Sequence, residues 1–364
     1  MDRVIDADGH VLEPMSAWQA LPDEQRLRTT RDAFGLDHVF VGDQEIATVS
    51  LGFLGTPGSR MNDLEHSPRY DDAQPGGFDA RVRLTDMDAE GIDVAALYPS
   101  LGLNFWAVED PAAAVGLARA YNHWLAAYCD TDRARLFGAA MLPFQEAGAS
   151  VAEIRRAHDE LGFHAAFIRP NPCLGRSISH TAYEPVWEAA EELGMTIGIH
   201  EGSATTITTL GMDRPFNPLI LHAVSHPFEQ MLACAQLMVF GVMERHPALH
   251  FVFLEAGGGW APYWMYRLDE QLHGFGGFCP DMRLKPSEYF ARQCWVSFEI
   301  DEPTLPALAP FVGEDRIVWG SDYPHHDATF PGAVKELRHV MAPLAPAVQA
   351  KILGENAATL YRMS

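Results

Sequence analysis

Ile5-Asp6-Ala7-Asp8-Gly9-His10 is the stretch from which the fold reads. An apolar start ends in two metal-competent side chains, and Ile199-His200-Glu201 and Gly320-Ser321-Asp322 end in the same kind of group. In a parallel barrel all strand C-termini open onto one face, so three such ends, far apart in sequence, meet at one point. Asp8 and His10 are two apart and point the same way on an extended strand. Joined by His200 and Asp322, they make an O/N site for a divalent metal.

Working outward, short apolar runs at 4–8, 94–99, 136–142, 165–168, 196–199, 251–254, 295–298 and 317–319 read as strands. Amphipathic stretches at 112–128, 149–161, 183–193 and 228–244 read as helices between them. This alternation predicts a single (β/α)8 TIM-type barrel, with about thirty residues per unit in its middle. Residues 11–80 and 201–249 exceed that spacing. Both leave from strand C-termini, and neither 11–80 nor 201–230 has a strand-helix pattern of its own. They are expected to be lids over the mouth after the first and fifth strands, leaving 1–364 as one domain. Phe53, Tyr70 and Phe78 in the first insertion read as exposed aromatics.

The chain has 26 Lys plus Arg against 49 Asp plus Glu, a net charge of −23. Such a balance excludes nucleic acid and anionic membranes as partners. The five cysteines form no Cys-x-x-Cys pair, so neither a disulfide scaffold nor a zinc ribbon is expected. No export signal or membrane span is legible, and the expected location is cytoplasmic.

The pattern Asp8-x-His10, His200 and Asp322, with Gly241-Val242-Met243-Glu244-Arg245-His246-Pro247, resembles the amidohydrolase superfamily. The similar branch holds aminocarboxymuconate-semialdehyde and gamma-resorcylate decarboxylases. That resemblance implies a barrel with Asp8, His10, His200 and Asp322 around one metal. It also implies a proton-shuttling His at the end of the sixth strand, where this chain has Glu255.

Glu255 reads either as a general base or as a metal ligand. The lid residues His222 and His226, four apart, precede Pro227, which reads as a first helical residue. His226 is expected as partner to Glu255 on a second metal, with a catalytic role for Glu255 and His326. Arg169 is expected to pair with a substrate anion, and Phe105, Trp106, Trp260 and His222 to line the pocket. The ligand surplus predicts two Fe and O2 chemistry, a monooxygenase hydroxylating a bulky hydrophobic natural-product-type molecule. It resembles the non-haem diiron monooxygenase of platensimycin and platencin biosynthesis. The alternative is a mononuclear Zn- or Mn-dependent decarboxylase or hydrolase. A homodimer is also among the expectations.

Overall fold

Eight strands, each buried along most or all of its length, carry the architecture, as a parallel sheet covered on its outer face requires. The computed structural model describes residues 3–60, 68–202, 206–214 and 217–363. The chain opens with β1 (Ile5–His10), a small sheet of β2 (Leu27–Arg31), β3 (Asp37–Val41) and β4 (Gln44–Val49), and α1 (Ala80–Glu90). The repeat continues through β5 (Val94–Tyr98), α2 (Pro111–Cys129), β6 (Leu136–Met141), α3 (Ala147–Asp159), β7 (Ala165–Ile168), α4 (Glu184–Leu193) and β8 (Thr196–His200). Next come α5 (Pro218–Val239), α6 (Val242–Arg245), β9 (His250–Leu254), α7 (Trp260–Phe275), α8 (Pro286–Gln293), β10 (Cys294–Phe298), α9 (Leu305–Val312) and β11 (Ile317–Trp319). Helices α10 (Ala333–Val340), α11 (Pro346–Ala350) and α12 (Asn356–Leu360) end the chain.

The barrel order is β1-β5-β6-β7-β8-β9-β10-β11, every neighbouring pair parallel. Its seam closes just past β11. There the Asp322 amide donates to Asp8 O at 3.0 Å, and the His10 amide to Tyr323 O at 2.6 Å. Ser321 adds bonds from its amide and hydroxyl to the buried Asp6 carboxylate, at 2.9 and 2.6 Å. Only glycine fits at position 320, since a Cβ there would stand 2.5 Å from Asp8 Cβ. The seam therefore joins the strand ends that carry Asp8, His10 and Asp322.

Caps start the helices. Asp79, Asp110 and Glu146 each accept from backbone amides of the first turn of α1, α2 and α3. Helix α5 differs from expectation by beginning at Pro218 instead of Pro227. Asn217 accepts from the amides of Leu219 and Ile220, and Pro218 fills the first turn where its missing N–H costs nothing. Pro227 lies inside the helix, and His222 and His226 ride on it one turn apart.

The first insertion departs from expectation too, because it has strands of its own. The sheet β2-β3-β4 is antiparallel, and Gly42, at φ +57°, turns β3 into β4. Gln44 Nε2 donates to Ala107 O at 2.8 Å and the Thr206 amide to Ile46 O at 3.3 Å. These bonds fasten the small sheet to the loops that follow β5 and β8. Phe53 and Tyr70 are buried, not exposed, and Phe78 packs edge-on to Tyr70 at 5.4 Å. Among the described residues no helix is long and apolar enough to cross a membrane.

Candidate metal centre

Strand β1 delivers Asp8 and His10 to the mouth, β8 delivers His200, and the loop after β11 delivers Asp322. His10 Nε2 lies 3.7 Å from Asp8 Oδ1 and 3.4 Å from Asp322 Oδ1, and His200 Nε2 lies 3.7 Å from Asp8 Oδ1. Ligands about 2.0–2.2 Å from one ion stand roughly 3–3.5 Å from each other, so these spacings suit a single cation. The hydrogen bonding agrees. Asp8 Oδ1, His10 Nε2, His200 Nε2 and both Asp322 carboxylate oxygens are buried with no well-formed hydrogen bond. Orphaned polar atoms are costly, and several aimed at one point call for an ion.

The opposite ring nitrogens are held in place. His10 Nδ1 donates to Pro99 O at 2.9 Å and His200 Nδ1 to Glu201 O at 2.5 Å. A carbonyl accepts only, so each Nε2 is left as a lone pair facing inward. Burial, then neighbouring imidazoles, hold His10 well below its ordinary value; burial also dominates the lowering of His200. Burial likewise raises Asp8, Asp322 and Glu255 well above the carboxylate range, and mutual repulsion adds to it. A bound cation would remove that penalty.

Glu255 follows β9, with its Oε2 3.1 Å from His200 Nε2 and Oε1 3.8 Å from His226 Nε2. Glu255 and Asp322 have φ of +48° and +52°, left-handed values that side chains adopt at a cost of about 1–3 kcal/mol. Both strained residues face the same centre. His226 Nε2 also lies 3.5 Å from Glu201 Oε2, and its ring stacks on His222 at 4.2 Å.

Two residues outside the sequence expectation enter the site. His325 packs against His10 with the ring centroids 4.0 Å apart, brings Nδ1 to 2.7 Å from Asp322 Oδ1, and meets Ser100 Oγ through Nε2 at 2.9 Å. The signal was the run Asp322-Tyr323-Pro324-His325, a four-residue turn whose last amide bonds back to Asp322 O at 2.8 Å. Glu299 is pushed up to about 7 by burial, and its charge reaches Asp8. His326, the expected catalytic residue, is in the outer pocket beside Phe53.

The pocket encloses about 600 Å³ including its open mouth, walled by Val49, Phe53, Leu54 and Leu103 and bordered by His222 and His326. The other expected lining residues lie elsewhere. Phe105 packs on Trp18, Trp106 stacks on Phe144, and Trp260 meets Phe253 edge-on, all three buried as core. Arg169 is fully buried, donating to Asn171 Oδ1, Leu103 O, Gly202 O and Glu201 Oε1. Its guanidinium braces the wall from behind and does not face the pocket.

A family model described as amidohydrolase matches residues 5–363. The 2-amino-3-carboxymuconate-6-semialdehyde decarboxylase of Dictyostelium discoideum is 29% identical over 250 residues, 68% of this chain and 67% of that protein. The gamma-resorcylate decarboxylase of Rhodococcus jostii is 27% identical over 347 residues, 86% of this chain and 94% of its own. A solved structure of a dihydroxybenzoic acid decarboxylase from Polaromonas, with bound manganese and 2-nitroresorcinol, superposes with a TM-score of 0.70. It is 22% identical and covers 100% of this chain and 98% of its own.

These findings overturn the expected diiron centre, the monooxygenase activity and O2 as a partner. The relatives described are decarboxylases, and the solved one carries manganese. Physically, the orphaned ligand atoms of the nest belong to Asp8, His10, His200 and Asp322, whereas Glu255, His222 and His226 contribute none. Glu255 stands over the same centre as His10, Asp322 and His325; it also comes within reach of His222 and His226, but among the described residues that group leaves no buried ligand atom orphaned.

Proposed function

This chain belongs to the amidohydrolase family, in the branch of the aminocarboxymuconate-semialdehyde and gamma-resorcylate decarboxylases, and we propose that it is a single-metal decarboxylase of a small aromatic or hydrophobic acid. The observation that carries this reading is the convergence of orphaned buried atoms from Asp8, His10, His200 and Asp322. This donor set, imidazole and carboxylate without thiolate, suits Mn or Zn. A divalent metal held there supplies a Lewis acid toward a substrate oxygen.

The chain's own residues do the rest. The Pro99 and Glu201 carbonyls orient His10 and His200 with Nε2 inward. Val49, Phe53, Leu54 and Leu103 hold an apolar ring and exclude water. Glu255, with 13% of its side chain exposed and its Oε2 3.1 Å from His200 Nε2, is our candidate to hold a proton and pass it to the carbon that loses carbon dioxide. A second reading, metal-dependent hydrolysis, is favoured by Glu255 itself, because a carboxylate also suits taking a proton from water.

The test is to load the purified protein with Mn²⁺ or Zn²⁺, count the bound metal, and supply 2,6-dihydroxybenzoate. About one metal per chain with metal-dependent release of carbon dioxide supports the proposal. Full turnover by stripped protein sinks it. An acid left intact, with esters or lactones cleaved, moves the assignment to hydrolysis.

A further inference from the structure

Among the described residues that line the pocket, none is Lys or Arg, and Glu255 and Asp327 stand at its border. Segments 61–67, 203–205 and 215–216 contain neither residue type in their sequence. Arg169, behind the wall, is matched by Glu201 at 2.9 Å and has its remaining bonds to carbonyls and Asn171. Burial pushes His226 down to about 4 and lowers His326, so desolvation works against a positive charge on either imidazole. The opposing walls, Val49, Phe53, Leu54 and Leu103, are apolar. A second anionic group on a substrate would be stripped of water here with the Asp327 carboxylate nearby and no Lys or Arg to receive it.

We infer that this pocket accepts a substrate with one anionic group, met at the Asp8-His10-His200-Asp322 nest, and an otherwise uncharged body, and that it rejects dicarboxylates. The inference rests on the single-metal reading above, which supplies the one positive centre. It narrows the substrate class by charge and names the wall residues that set the limit.

Calorimetric titration of Mn²⁺-loaded protein with benzoate and with isophthalate tests it. Isophthalate differs from benzoate by one added carboxylate, and it is expected to bind more weakly by about tenfold or more. Leu54→Arg places a cation at the half-buried rim and should narrow or reverse that ratio. Val49→Lys serves the same purpose if the first variant does not fold. Equal or tighter binding of isophthalate by the unmodified protein overturns the inference, as does failure of benzoate to bind. Benzoate binding that is unchanged after metal stripping tells against the metal reading instead. In that case the benzoate-to-isophthalate ratio still reports the charge preference of the walls.

Discussion

An imidazole becomes a metal ligand when one nitrogen is tied to an acceptor and the other is left bare, and His10 and His200 are both in that state. His200→Ala should lower metal affinity by roughly 10²-fold or more and take activity with it, read by metal analysis after dialysis. A variant that keeps a full equivalent would remove His200 from the ligand set. Glu255→Gln separates a proton carrier from a ligand. Metal content should stay near one equivalent while turnover falls about 10²–10⁴-fold, and loss of metal would make Glu255 a ligand after all. Arg169→Met tests its bracing role. It leaves the Glu201 carboxylate buried without its partner, and thermal or denaturant unfolding should show a loss of about 3–5 kcal/mol. An unchanged stability with a raised KM would return Arg169 to substrate binding. Asp8, His10, His200 and Asp322 were legible because each closes an apolar run. His325 was not, since only the turn over Pro324 brings it back onto Asp322.

At the scale of elements, the seam between β1 and β11 positions half of the site. Gly320→Ala forces a Cβ to within 2.5 Å of Asp8 Cβ, against backbone that cannot swing aside. Overpacking of this kind costs about 1–3 kcal/mol, and here metal occupancy should fall with Tm. Wild-type occupancy in Gly320→Ala would show that the seam tolerates the displacement. The eight barrel strands were readable from apolar runs alone, because each is buried on both faces and needs no alternation. Helix α5 was misplaced since Pro227 reads as a start, whereas Asn217 and Pro218 form the stronger start signal and begin the helix nine residues earlier. The strands β2, β3 and β4 were missed although Val41-Gly42-Asp43-Gln44 carries a hairpin turn, because the alternation of β3 is one of burial and not of residue type. Helical and strand periods compete weakly in such short segments, and the partner strands decide between them.

Across the whole molecule, the bonds from Gln44 to Ala107 and from Thr206 to Ile46 tie the insertion to the barrel, so both are proposed to unfold as one domain. Fluorescence and circular dichroism should give coincident melting curves, and two separated transitions would mark an independent unit. A metal that binds only the folded nest adds stability by mass action, about 2.7 kcal/mol at a hundred times its Kd, and a chelator should reverse the gain in Tm. A Tm indifferent to Mn²⁺ and Zn²⁺ would argue against the nest as a binding site. The sequence by itself determined the barrel and its eight strands and pointed to the four residues proposed for the nest, because strand burial and strand ends leave a local mark in residue type. Only the tertiary structure decided that Arg169 braces a wall, that Phe105, Trp106 and Trp260 are core, and that Glu255 and His325 share one centre. Those outcomes depend on which partner each side chain meets across the barrel, and no local pattern records the distance between residues hundreds of positions apart.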